Sequence, residues 1–134
     1  MLQQTQVKTA TPYFKNFIKK YPTQKKLSEA SEDQILALWS GLGFYRRARN
    51  IFKTKEIIKE KYNNRFPKEF HQLLELPGIG KSTAGAIMSL AYQNPHPILD
   101  GNVKRVITRL VNKNIDLLKE SQLWDLSSQF VNKE

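Results

Sequence analysis

The chain has 134 residues, with 22 Lys plus Arg against 12 Asp plus Glu, a formal net charge of +10 and no cysteine. That length suffices for one domain with a real core, and the basic excess suits a polyanionic partner, nucleic acid or an anionic membrane surface. The lack of cysteine excludes disulfides, thiolate metal sites and an iron–sulfur cluster within these residues, and no apolar run approaches the roughly 20 residues that span a bilayer.

No charged start followed by an apolar h-region and a cleavage site is present, so the expectation is a soluble, intracellular protein. Leu2, Val7, Tyr13, Phe14, Phe17 and Ile18 recur at near-helical spacing, which predicts helix almost from the first residue. Pro12 interrupts that pattern and predicts a break or kink near Thr11. A helix that opens uncapped reads as cut from a longer chain. Leu27 to Ala30 reads as a short turn, and Ser31 with Gln34 fits a capping box that opens a helix over Glu32 to Trp39.

The stretch Gly41-Leu42-Gly43-Phe44-Tyr45 follows as a tight turn in which Leu42 and Phe44 either protrude or pack. Arg46, Arg47 and Arg49 come next, at a helix start where positive charge opposes the dipole. They form either a solvated face or contacts to DNA phosphate. An apolar turn flanked by arginine also resembles the wedges that enter a base stack. Ile51, Ile57 and Ile58 carry an amphipathic helix to about Asn63, and Phe66-Pro67 opens a short helix that leads to Leu73 and Leu74.

The central stretch is Leu76-Pro77-Gly78-Ile79-Gly80-Lys81-Ser82-Thr83-Ala84. Pro77 stops one helix, Gly78 and Gly80 give backbone freedom on either side of Ile79, and a new apolar helix starts at once. Its unpaired N–H groups and positive dipole end attract anions, so residues 70–90 read as a helix–hairpin–helix that holds a phosphate. A Pro-Gly turn is often only a turn. Here the Gly-apolar-Gly spacing, the immediate helix start and Lys81 favour phosphate.

Asn94-Pro95-His96-Pro97 is a loop; His96 and His71 read as a loop residue and a surface residue, not metal ligands. Asp100 sits where an N-cap belongs, before a helix over Gly101–Val111 whose apolar face is Val103, Val106, Ile107 and Leu110. Its second role is that of a carboxylate across a cleft from the hairpin, placed to stabilise cationic charge in a sugar transition state. The two roles are compatible. Ser121 to Asn132 gives a last amphipathic helix through Leu123, Trp124, Leu126 and Phe130, and no segment has strand periodicity. The fold class is all-α.

These motifs together resemble the helix–hairpin–helix DNA glycosylase superfamily. Within it, Met1 to Val7, Gly41 to Tyr45, Leu76 to Ala84 and Leu99 to Arg105 are similar to the MutY family of adenine-specific mismatch glycosylases. The resemblance covers nearly the whole chain and implies a single six-helix barrel domain over residues 1–134. It implies removal of adenine mispaired with 8-oxoguanine or guanine, by a bacterial cytoplasmic monomer acting on double-stranded DNA and not on membranes. The adenine is flipped out because its glycosidic bond is unreachable inside the stack. Gln4 and Thr5 match residues that fill the gap and contact the oxidised guanine, Leu42 and Phe44 probe that side too, and Gln3 and Arg46 are expected among the DNA-binding residues. Leu2 and Val7 would line the base pocket. Asp100 matches the carboxylate that stabilises the oxocarbenium-like sugar, with Asn102 beside it, while Gly78, Gly80, Lys81 and Ser82 would hold the backbone.

Three departures bear on activity. Ser82 stands where the lyase relatives carry a lysine nucleophile, so Schiff-base chemistry is excluded and a monofunctional glycosylase is implied. Phe44 replaces a common tyrosine and keeps a wedge without a hydroxyl. The family's general-acid glutamate falls two residues before Met1, and the cysteines of its [4Fe-4S] cluster and its C-terminal recognition domain fall beyond Glu134. The expectation is therefore a chain with no cofactor or metal of its own and little or no turnover. A non-catalytic helix–hairpin–helix DNA-binding module is the competing reading; it leaves Asp100-Gly101-Asn102 and Gln3-Gln4-Thr5 unexplained.

Overall fold

A computed structural model describes residues 1–131, and every regular element among them is helical. These residues form two compact units, one of residues 1–67 with 76–78, the other of residues 68–75 with those from 79 onward.

The first unit contains α1 (Val7–Lys20), α2 (Gln24–Ser28), α3 (Glu32–Trp39) and α4 (Arg46–Tyr62). Its centre is α3, which opens on the expected capping box. Ser31 Oγ accepts from Gln34 N at 3.2 Å and Gln34 Oε1 accepts from Ser31 N at 3.0 Å. Ile35 and Trp39, four residues apart on one face, are completely buried. They pack with Ala30, Leu42 and Ala48, flanked by Tyr13, Phe17 and Ile51. Fully burying one large apolar side chain is worth about 1.5–3 kcal/mol, so this cluster fixes α3 against α1 and α4. One cation is buried here. Lys55 on α4 donates to Ser28 O at 3.3 Å and to the Glu56 carboxylate, over the Phe52 ring.

Three expectations change in this unit. Residues 1–6 are turn and extended chain, not helix, because their carbonyls bond elsewhere, as described below. Pro12 lies inside one continuous α1. Its ring is on the exposed side, where water can take the Lys8 carbonyl it leaves free, and Thr11 Oγ1 donates to Val7 O at 2.7 Å. The stretch read as a turn from Leu27 to Ala30 begins within α2, whose start is capped by Thr23 Oγ1 accepting from Lys26 N at 3.2 Å.

The second unit contains α5 (Phe70–Leu74), α6 (Lys81–Tyr92), α7 (Gly101–Leu110), a 3-10 turn over Ile115–Leu117 and α8 (Glu120–Gln129). Here α5 packs on α6 and α7 on α8, and Leu73, Ala84, Met88, Leu99, Ile107 and Leu123 are buried. Gln93 ends α6 in the left-handed region with its N–H on Met88 O, after which Pro95 and Pro97 forbid helix. The apolar face of α7 is only partly used: Ile107 is buried, whereas Val106 and Leu110 are exposed. The last helix appears as α8 but stops at Gln129, with Phe130 as its C-cap, short of the expected Asn132, which itself lies outside the described residues.

Candidate nucleic-acid interface

The site residues fall into two clusters, one in each unit. In the first unit, residues 1–6, the turn over residues 40–45 and the turn residues Pro77 and Gly78 come together. Gly78 has φ +81°, and a Cβ there would run into the Asn50 side chain, so glycine is required twice over. Thr54 Oγ1 donates to Pro77 O and Gln3 Nε2 to Gly78 O, both at 3.4 Å. The turn of the hairpin is thus tied to α4 and to the Gln3 loop.

Arg47 organises the other two segments. Its Nη1 donates to Met1 O and Gln3 O, each at 2.6 Å, and to Thr5 Oγ1 at 2.8 Å; its Nη2 donates to Gly43 O at 3.2 Å. The guanidinium also lies 5.4 Å from the Trp39 ring and 5.3 Å from the Phe44 ring. Trp39 Nε1 donates to Gly43 O at 3.0 Å. Burial, and then the nearby Arg47 charge, push the Met1 α-amino group below its usual range.

The open choices at this turn resolve by residue. Leu42 is 6% exposed and packs into the core, so it supports the turn and offers no side chain to a ligand. Phe44 is 60% exposed, at φ +51°, and protrudes. Of the three arginines, Arg47 is spent internally, Arg49 pairs with Glu32 at 3.5 Å, and Arg46 is exposed with no such partner among the described residues. Gln4 is exposed at φ +55°. Leu2 and Val7 line one apolar cavity of about 500 Å³ together with Met1, Ala10, Phe14 and Ile51.

In the second unit, Gly80 is the N-cap of α6 with extended backbone and open space where a Cβ would be. The expected need for backbone freedom therefore holds at Gly78 and not at Gly80. Lys81 is exposed, with its ammonium 4.1 Å from the Trp124 ring centroid. Ser82 Oγ, on the first turn of α6, accepts from Leu99 N at 2.9 Å. That bond brings the residue before Asp100 to the start of the hairpin helix.

Further ties hold the same loop. Ser127 Oγ on α8 donates to Ile98 O at 2.6 Å, Ser89 Oγ accepts from His96 N at 2.9 Å, and the His96 ring stacks on Phe70 at 5.0 Å. A Cβ on Gly85 would strike the Pro97 carbonyl oxygen, so α6 and the loop approach as closely as backbones allow. Asp100 is exposed, and its Oδ1 accepts from Val103 N at 2.8 Å as the α7 cap. Asn102 Oδ1 accepts from Arg105 Nη2. Serines 82, 89 and 127 and Gly85 carry no sequence pattern that marks them as loop anchors.

Among the described residues no group of three or more His, Cys, Asp or Glu is placed to hold a metal ion, and no helix is long and apolar enough to cross a membrane. The family model described as "HhH-GPD superfamily base excision DNA repair protein" matches residues 1–123. An adenine DNA glycosylase of Buchnera aphidicola from Schizaphis graminum is 53% identical over 129 residues, which is 94% of this chain and 37% of the relative. The human adenine DNA glycosylase is 38% identical over 135 residues, covering 98% of this chain and 25% of its own length. The chain thus spans about a third of the relatives it matches. Among solved structures, a trapped endonuclease III–DNA covalent intermediate aligns with a TM-score of 0.84 at 26% identity, over 98% of this chain and 62% of that one. A thermostable thymine-DNA glycosylase aligns with a TM-score of 0.85 at 25% identity, over 96% and 60%.

Proposed function

Since the chain belongs to the HhH-GPD superfamily of base excision DNA repair proteins, we propose that it carries the glycosylase domain of an adenine-specific mismatch repair enzyme. Its substrate is adenine opposite 8-oxoguanine or guanine in double-stranded DNA, bound by a monomer in the bacterial cytoplasm. The observation that carries this reading is the Leu99 N–H donated to Ser82 Oγ, which couples the Asp100 loop to the start of the hairpin helix.

In this reading the N–H groups at the start of α6, with Gly78 and Gly80 beside them, bind the strand that carries the flipped nucleoside. The exposed Phe44 wedges the stack, Leu42 holds that turn from below, and Gln4 lies on the oxidised-guanine side. Leu2 and Val7 receive the base. Lys81, Ser82 and Arg46 add strand contacts, and Asn102 helps orient the sugar. Asp100 keeps one oxygen on its cap bond and turns its remaining acceptor capacity to the sugar as C1′ becomes cationic, which lowers the barrier electrostatically. Ser82 has no amine for a Schiff base, so hydrolysis ends with adenine release. The 134 residues include no cysteine, so none of them fits an iron–sulfur cluster.

Adenine departs readily only when its ring is protonated, and general acid assistance is commonly worth 10²–10⁴-fold, so these 134 residues alone should cleave slower by roughly that factor. No carboxylate precedes Glu29. Single-turnover assays on a duplex with adenine opposite 8-oxoguanine test this. Preferential binding with slow adenine release is expected, and release at the speed of an intact relative contradicts it. The Asp100 cap bond by itself favours a second reading, a non-catalytic helix–hairpin–helix module. In that case the duplex would be held without preference for the mispair.

A further inference from the structure

We propose that Arg47 is a positioning residue for mispair reading: its guanidinium locks the Gln4 loop and the Phe44 turn into one register, and it makes no phosphate contact itself. The proposal rests on the mismatch-reading function above but draws on different atoms. Gln4 and Phe44 are both non-glycine residues in the left-handed region, at φ +55° and +51°. Such backbone is uncommon for these side chains and persists only where the surroundings impose it.

One guanidinium joins the two segments. Arg47 takes the carbonyls of Met1 and Gln3 and the hydroxyl of Thr5 on one side, and the carbonyl of Gly43 on the other. These acceptors bracket Gln4 in the first segment and immediately precede Phe44 in the second. The guanidinium is itself seated over Trp39, which has no exposed surface and donates to the same Gly43 carbonyl. The chain of constraint therefore runs from the core tryptophan through Arg47 to both exposed tips. Charge-assisted bonds from a rigid planar fork suit this task, and a lysine ammonium cannot reach four acceptors spread over two segments.

The same contacts make Arg47 a poor phosphate ligand. The two N–H groups of Nη1 are shared among three acceptors, Nη2 is engaged, and Nε is buried without a partner. Arg46, one residue earlier, is exposed and available for that purpose.

The test compares the wild type with Arg47→Lys, Arg47→Met and Thr5→Val by amide hydrogen exchange of the free protein and by duplex binding across a salt series. Both Arg47 variants should lose protection over residues 1–5 and 41–45 together, while α3 stays protected. Their preference for the mispaired over the matched duplex should fall roughly five- to a hundredfold, the span carried by one specific base contact. Affinity for the matched duplex and its salt slope should stay unchanged. Thr5→Val removes one bond, spares the fold, and should free the first segment only.

A salt slope lowered by about one contact, with equal loss on all duplexes, would make Arg47 a phosphate ligand and overturn the proposal. So would exchange that rises in one segment of the Arg47 variants and not the other. If the wild type itself shows no mispair preference, the functional reading fails, and the exchange result alone still confirms or overturns the lock.

Discussion

Two loop clusters carry the candidate interface, and they are held by different chemistry. In the first unit one guanidinium satisfies four acceptors on two segments, over a fully buried tryptophan. In the second unit the loop before Asp100 is held by three separate serine hydroxyls and a backbone contact at Gly85, with no ionised side chain among these ties. The first arrangement fails as a whole when its one hub is lost. The second distributes the same work, so removing one tie leaves the others. Under the proposed function the difference has a use: a tip that reads a lesion needs its geometry coupled to a partner segment, whereas a carboxylate that stabilises charge needs only to stay where it is.

The comparison is open to direct perturbation because each unit has one tryptophan, Trp39 in the first and Trp124 in the second, and the chain has no others. The largest effect is expected from Trp39→Ala, which empties a fully buried site and removes the seat of Arg47. It should cost about 3–5 kcal/mol in chemical denaturation, read by circular dichroism. Gly85→Ala comes next. Its Cβ meets a backbone carbonyl that cannot swing aside, so about 1–3 kcal/mol should be lost in spite of the better helix propensity of alanine.

Ser82→Ala should cost less, about 1 kcal/mol, by leaving the Leu99 N–H unpaired while Ser89 and Ser127 still hold the loop. A loss as large as that of Trp39→Ala would show that the second cluster also hangs on a single point. The smallest effect is one of pH. The hydrogen bond from Lys55 holds the Glu56 carboxyl below its usual range. A depressed carboxyl stabilises the fold fully above its unfolded value of 4.5 and loses that contribution as pH falls through the folded value. Glu56 is more than a third exposed, so acidification below pH 4.5 should loosen the Trp39 signal slightly through this group and leave Trp124 unaffected by it.

What the sequence made legible was local. The Ser31–Gln34 capping box, the Asp100 cap and the Pro77-Gly78 turn each depend on residues within four positions, and all three appear as expected. What the sequence left open or hid depends on distant partners. Leu2 and Val7 mimic helical spacing, yet residues 1–6 stay irregular because Arg47, more than 40 positions away, takes their carbonyls. From local sequence Leu42 can protrude or pack, and Trp39 beside it in the core decides for packing. Lys81 reads as a phosphate ligand from its place beside the turn, and nothing local signals that Trp124, 43 positions on, meets its ammonium as well. Ser82, Ser89 and Ser127 are ordinary helix residues until the loop they hold is folded against them.

The most direct measurement uses a duplex that carries a cationic aza-sugar nucleoside opposite 8-oxoguanine, compared with its neutral counterpart, for the wild type and Asp100→Asn. Asparagine caps a helix as well as aspartate, so the α7 start is kept while the charge is removed. The proposed role of Asp100 predicts that the wild type binds the cationic duplex roughly tenfold or more tightly than the neutral one, as a transition-state mimic should be bound, and that Asp100→Asn abolishes the difference. Equal preference for the cation in both proteins would contradict it.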